Sequence, residues 1–398
     1  MTARENREAS VCPFDHHDPT HREEGLYATY AVMRSRGITW SPHHGGFWMV
    51  TSYACVRAAL RDHLTFSSAG GCFLPDLGYR NLALEQDPPK HGLFRDIFVS
   101  AVGRNAVAGY VEQIREMVER IVGEFVAAGG GDARAEISEK VPVEGICLML
   151  GLSPTTAARV RELTVTAWRV LYTNPDPLAP IREMLMAEAA ERVAHPRGDF
   201  LTTLTTIEVD GRRLREDEIG NLLQGAVIAG HETTMNASSN LIYELACDPE
   251  LQRRLRGRPD EIPHVVEECL RHRAPIHVFF RTVTAETQLG GIRMQPGDKV
   301  ALVFAAANRD PDRFPDPDSF HPQRQDVAHV SFGWGIHRCV GSFLAQTELR
   351  LIARALLDGG DLILHDVEMA PLTGGIHMGM QRVDLRVVRH PAAAPAPA

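Results

Sequence analysis

The sequence contains no run of about 18 consecutive apolar residues, so a helix crossing a bilayer is not expected. Residues 1–21 lack the apolar stretch of a secretory leader. Positive charge is in deficit: 42 Lys and Arg stand against 51 Asp and Glu, a net of −9, which argues against nucleic acid as a partner. The 7 cysteines, Cys12, Cys55, Cys72, Cys147, Cys247, Cys269 and Cys339, are odd in number and dispersed. That pattern excludes a disulfide framework and fits a reducing cytoplasm. No linker-like stretch and no repeat of fixed period divides the chain. What remains is a 398-residue globular sequence, 44% hydrophobic, with material for a sizeable core. It reads as an irregular arm at 1–21, one integrated domain at 22–390 and an Ala/Pro tail at 391–398.

The periodicity predicts a mainly α fold with small β-sheets. Val107, Val111, Ile114, Val118, Ile121 and Phe125 make one apolar stripe on a long helix that stops at Gly129-Gly130-Gly131. A hairpin is expected over 38–51, a sheet region over 282–303, and strands at 362–364 and 383–388. From Glu216 to Cys247 the pattern stays helical for about 48 Å at 1.5 Å per residue. It is apolar nearly all round near Leu222 to Ala229, which predicts burial on every side. Its middle reads Ala229-Gly230-His231-Glu232-Thr233-Thr234, where glycine, threonine and a buried carboxylate all oppose local preference. Such breaks in local rules mark function, although close packing at Gly230 and a Thr bond to a carbonyl one turn back account for them too.

The densest signal is Phe332-Gly333-Trp334-Gly335-Ile336-His337-Arg338-Cys339-Val340-Gly341. Its glycines allow tight turns and close approach of backbone to a flat ligand. Cys339 falls just before a helix, whose N-terminal N–H groups stabilise a thiolate. His337 with Cys339 is too small a set for zinc, but one thiolate suits an iron already held by a porphyrin. The pairs His16-His17 and His43-His44 read as loop residues, and Cys12 with His16 is too sparse for a metal site.

This string resembles the Phe-Gly-x-Gly-x-His-x-Cys-x-Gly signature of the haem-thiolate monooxygenases, the cytochrome P-450 family, of soluble bacterial type. Ala229 to Thr234 is similar to that family's oxygen-activating stretch, Glu268-Cys269-Leu270-Arg271 to its Glu-x-x-Arg helix, and Asp87 to Arg95 to its Asp-x-Pro-x-His-x-x-x-Arg stretch. The resemblance implies a single-domain fold with the long central helix crossing over haem b. It implies Cys339 as axial iron ligand, His91, Arg95, Arg281 and His337 as propionate contacts, and Phe332, Gly333, Gly341 and Ala229 against the cofactor. Glu268 and Arg271 would form a buried structural pair, with Arg309, Arg313 or Arg324 as a third partner. His91 with Arg95, taken alone, could equally decorate a surface helix.

In activity the resemblance implies insertion of one oxygen atom from O2 into a small molecule. Thr233 would hydrogen-bond the oxygen and Glu232 would connect it to solvent. Electrons would come from a separate ferredoxin and reductase, docking near Arg338, Arg95 and Arg104. His231 has no part in this. Phe73, Leu74, Val227, Ile228, Ala229, Val278, Phe279 and Met378 are expected to line the substrate pocket, with His277, His377 and Asp76 as polar handles. A compact, mostly apolar substrate, terpenoid-like or aromatic, follows from that wall. The alternatives are a thiolate-haem enzyme that uses peroxide or couples substrates oxidatively, and a haem gas sensor, which has no need of Thr233 and Glu232.

Overall fold

Glu216, Asp217 and Glu218 open the longest helix of the computed structural model, placing three carboxylates where the helix dipole favours them. Glu218 accepts from the Arg215 backbone N–H at 2.9 Å and closes the first turn. The structure describes residues 7–8, 10–171, 173–174, 176–372 and 374–389, so the expected Ala/Pro tail lies outside the described residues. This helix, Glu216–Cys247, has the 32 residues that the pattern predicts. Leu222 to Val227 are buried as expected, whereas Ala229 is exposed and Ile228 and Gly230 half-buried, because one face there borders a cavity. Ser238 and Ser239, also buried, each return a hydrogen bond to a carbonyl three residues back at 3.0 Å.

The apolar stripe lies on the helix Arg104–Ala127, with Val107, Ile114, Val118, Ile121 and Phe125 buried and Val111 half-buried. The glycines after it do more than stop the helix. Gly130–Asp132 is a strand that pairs with Met380–Val388, itself paired with Asp361–Met369. A Cβ on Gly130 would stand 2.0 Å from the Leu385 carbonyl oxygen, so only glycine lets the strands approach.

The larger sheet has five strands in the order Thr39–Ser41, Phe47–Val50, Lys299–Val303, Val278–Val283, Phe66–Ser67. The expected hairpin supplies its first two strands, with Trp40 opposite Trp48, and Lys299–Val303 adds to Phe47–Val50 in parallel. Residues 10–21 hold no strand beyond a single bridge of Val11 with Trp40, yet Phe14 and His16 are buried against the sheet.

Beneath the central helix lies Ile262–His272, which carries Glu268 and Arg271, both wholly buried. Their side chains meet in two parallel bonds of 2.7 and 2.8 Å. Of the three candidate partners, Arg324 joins them, its Nε 3.1 Å from both Glu268 oxygens. Arg309 instead lies over the Tyr27 ring, and Arg313 pairs with Asp326. Burial opposes the charge on Glu268, but Arg271, the His321 N–H and Arg324 outweigh it and hold the carboxyl below its ordinary value. A group depressed in this way adds stability above its unfolded pKa and loses it as pH falls through the folded value. Glu268→Ala should cost about 3–5 kcal/mol in urea unfolding at neutral pH, because two guanidinium groups lose their buried anion. A loss under about 1 kcal/mol would show that the pair is no more than a solvated surface contact.

Candidate active site

Gly333 and Gly335 take φ of 67° and 69°, the left-handed region, and so fold the segment before Cys339 into a tight loop. A Cβ on Gly335 would lie 2.5 Å from the Leu60 carbonyl oxygen. The loop closes with the Cys339 N–H bonded to the Phe332 carbonyl at 2.8 Å, and the helix Ser342–Gly359 begins three residues on. Cys339 is surrounded by protein but keeps exposed surface, which opens into a cavity. Burial raises its thiol pKa, while the Gly341 and Ser342 N–H groups and the Arg95 and Arg338 charges pull the other way.

Across the cavity stand Ala229, Gly230, Thr233 and Thr234 of the central helix. The helix runs unbroken here. A Cβ on Gly230 would meet Ile146 at 2.8 Å, so close packing accounts for the glycine. Thr233 Oγ1 donates to the Ala229 carbonyl one turn back at 2.8 Å. Its two lone pairs still accept. Glu232 does not line the cavity. It is buried on the side of Asn236 and Arg134, and burial lifts its pKa to about 7 against the Arg134 charge. His231 is fully buried, and burial lowers its pKa to about 4.

One wall of the cavity gathers basic side chains. Arg95, Arg281 and His337 line it, and the His91 ring lies 4.3 Å from that of His337. Among the described residues none of the four forms an ion pair. Arg95 donates to the Arg338 carbonyl at 2.8 Å, Arg281 to the Phe280 carbonyl at 2.7 Å, and His337 Nε2 meets Ser68 Oγ at 3.0 Å. His91 Nε2 and His337 Nδ1 are buried with no hydrogen-bond partner. Burial, then Arg281, His91 and Arg95, push His337 down to about 2. Two guanidinium groups without a counter-charge, beside buried neutral imidazoles with unpaired nitrogens, are costly and describe a place built for an anion.

The Cytochrome P-450 family model matches residues 179–371. The PikC monooxygenase of Streptomyces venezuelae is 32% identical over 355 residues, which is 83% of each chain. The chain belongs to the cytochrome P-450 family. The steroid C26-monooxygenase of Rhodococcus jostii is 28% identical over 374 residues, covering 87% of this chain and 78% of that one. The structure of CYP268A2 of Mycobacterium marinum in complex with pseudoionone superposes with a TM-score of 0.87 at 26% identity, over 95% of this chain and all of the other. The protein is therefore an oxidoreductase, a P-450 monooxygenase of bacterial type, whose cofactor is haem b and whose reactants are O2 and a small molecule. No helix among the described residues is long and apolar enough to cross a membrane.

The residues present fit the cofactor. The Cys339 thiol faces an apolar cavity, and Arg95 and Arg281, which have no counter-charge, with the unpartnered His91 and His337 nitrogens match a dianionic edge. Phe332, Gly333, Gly341 and Ala229 line that cavity.

The substrate wall is corrected in several places. Phe73, Ile228, Phe279 and His377 line the second lobe of the cavity, and the Phe73 and Phe279 rings stand 6.0 Å apart. Val227 is wholly buried and borders neither lobe, since the helical turn carries it to the far face. Leu74, Val278 and Met378 pack in the core behind the sheet, and His277 is buried near Tyr30. Asp76 is exposed and paired with Arg80 at 2.6 Å. Tyr79, Asn81, Leu171, Leu178 and Gln224 line the lobe without having been expected there. They carry no local motif, so only their arrival at one place identifies them.

The raised pKa of Glu232 has a measurable sign. Between about 4.5 and 7 the folded chain holds a proton there that the unfolded chain has released, so stability falls as pH rises through that window. Glu232→Gln lacks this loss. The unfolding free energy of the variant should gain on the wild type from pH 4.5 to 7. A gap independent of pH would mean that Glu232 ionises normally.

Proposed function

We propose that this P-450 oxygenates a compact, mostly apolar molecule, terpenoid-like or aromatic, and draws its electrons from a separate ferredoxin and reductase. The observation that carries the reading is the opening of Cys339 into a two-lobed apolar cavity that Thr233 and Ala229 also border. In this reading the Cys339 thiolate would hold the haem iron, and His91, Arg95, Arg281 and His337 would hold the haem propionates. Bound haem, pushed electronically by a thiolate ligand, supplies the iron centre at which dioxygen is cleaved.

The protein supplies position, dryness and protons. Phe73, Ile228, Ile276 and Phe279 exclude water and grip apolar surface, while Tyr79, Asn81, Gln224 and His377 offer single hydrogen bonds that orient a substrate. Burial lowers the His377 pKa to about 3, so the ring is neutral and selects no anion. Thr233 Oγ1, its proton committed to the Ala229 carbonyl, accepts a hydrogen bond from the cavity side. Glu232, buried on the Arg134 and Asn236 side with its pKa lifted to about 7, can take up and give up a proton near neutral pH. A steroid monooxygenase and a pseudoionone complex among the relatives agree with an apolar substrate class.

Electron entry is assigned to the face beside the cysteine loop. Arg338 is exposed there, with Arg57 over the Trp334 ring at 4.1 Å and Arg104 over Phe343 at 4.9 Å. A local basic patch on a chain of net charge −9 suits an acidic electron carrier.

The reduced, carbon monoxide-treated protein should show the strongly red-shifted Soret band of a thiolate-ligated haem. Survival of that band in Cys339→Ser would remove Cys339 from the assignment. Terpenoid and aromatic compounds should shift the ferric spectrum to high spin where free amino acids do not; the reverse result overturns the substrate class.

Thr233→Ala should load haem and bind substrate, yet yield about 10²-fold less product per NADPH consumed, with the electrons lost as peroxide. Unchanged coupling would take Thr233 out of proton delivery.

A further inference from the structure

The two histidine pairs of the N-terminal region, which the sequence places in separate loops, meet in the folded chain. One ring nitrogen from each of His16, His17 and His44 lies within 4.8 Å of one from the other two. The ring centroids are 4.2, 4.9 and 5.1 Å apart. His16 Nε2 and His17 Nε2 converge on one oxygen, the Leu74 carbonyl, at 2.7 Å each. Asp15 completes the group, with Oδ1 2.7 Å from His44 Nε2.

We propose that His16, His17 and His44, with the Asp15 carboxylate beside them, form a binding site for a divalent transition-metal ion of the zinc class. Zn–N bonds of about 2.0–2.1 Å set N···N edges of about 3.4 Å in a tetrahedral site, which each ring reaches by moving less than about 1 Å. Imidazole nitrogens with one carboxylate are the donor set that borderline divalent metals prefer over calcium or magnesium. Without an ion the arrangement is poorly satisfied: His16 is buried, and its Nδ1 meets no hydrogen-bond partner. The site is reachable, since the His44 side chain is 22% and that of Asp15 30% exposed.

The position gives the ion structural leverage. Leu74 follows Phe73, which lines the substrate lobe. A Cβ on Gly375 would touch His16 Cδ2 at 2.5 Å and His17 Cε1 at 3.1 Å, so the turn that carries His377 packs on the same rings. A bound ion thus fastens the arm to two walls of the lobe from outside. The site shares no residue with the haem cavity and does not depend on the substrate reading.

Holoprotein made without a polyhistidine tag, stripped with a chelator and dialysed against Zn2+ under mild chelator competition, provides the test. Zinc per haem iron is read by elemental mass spectrometry. One equivalent should be retained by the wild type and by His195→Ala and His365→Ala, exposed histidines elsewhere. Affinity should fall at least about tenfold in His17→Ala and in His44→Ala, while haem content stays the same. His17→Ala and His44→Ala are the decisive variants because both residues are only partly buried, so the outcome does not hinge on folding. Less than one equivalent in the wild type, or equal retention in both decisive variants, overturns the site.

Discussion

The fully buried carboxylate of Glu268 is the constraint on which the active site rests. Arg271, bound to it, also donates to the carbonyls of Asn308, Pro317 and Ser319 at 2.9, 2.8 and 3.0 Å. Asn308 in turn bonds the Val330 N–H and Ser331 Oγ, and Ser331 returns a bond to the Leu270 carbonyl. The irregular stretch 308–331 is thereby tied at several points to one helix, and it leads directly into the cysteine loop. A loop without regular structure can hold a ligand only when its backbone groups are satisfied by something rigid, and this network does that.

Charge is treated in opposite ways on the two sides of that loop. Beneath it, Glu268 and its two arginines answer each other, and the carboxyl stays ionised at neutral pH. In the cavity, Arg95, Arg281, His91 and His337 have no such answer, and the histidines are driven neutral. The first arrangement is complete in the protein; the second leaves two guanidinium groups without a counter-charge at the cavity wall. Glu232 lies between these cases, its burial only partly offset by Arg134, and so it titrates near neutrality, where a proton carrier is useful.

Legibility followed the range of the interactions involved. The cysteine loop, the central helix and the Glu-x-x-Arg turn are contiguous in sequence, and their glycines, caps and spacings act within a few residues. The choice of Arg324 over Arg309 and Arg313 was not legible, because all three lie within residues 309–324 and only packing selects the one that reaches Glu268. The substrate wall failed for a related reason. An apolar run such as Leu222 to Ala229 shows that a helix is enclosed, but its phase against a cavity depends on which neighbour stands opposite each face. Ile228 and Ala229 turned toward the lobe and Val227 away from it.

From sequence alone came the mainly α class, the extent of the central helix, the haem-thiolate family and the residue that opens into its cavity, all carried by local chemistry. Tertiary structure alone decided the meeting of elements far apart in the chain. Gly130 became part of a sheet because Leu385 approaches it, and His16, His17 and His44 converged because the hairpin and the loop at Leu74 fold onto the arm. No residue in those segments announces its partner, since what joins them is packing of surfaces whose register exists only once the core has formed.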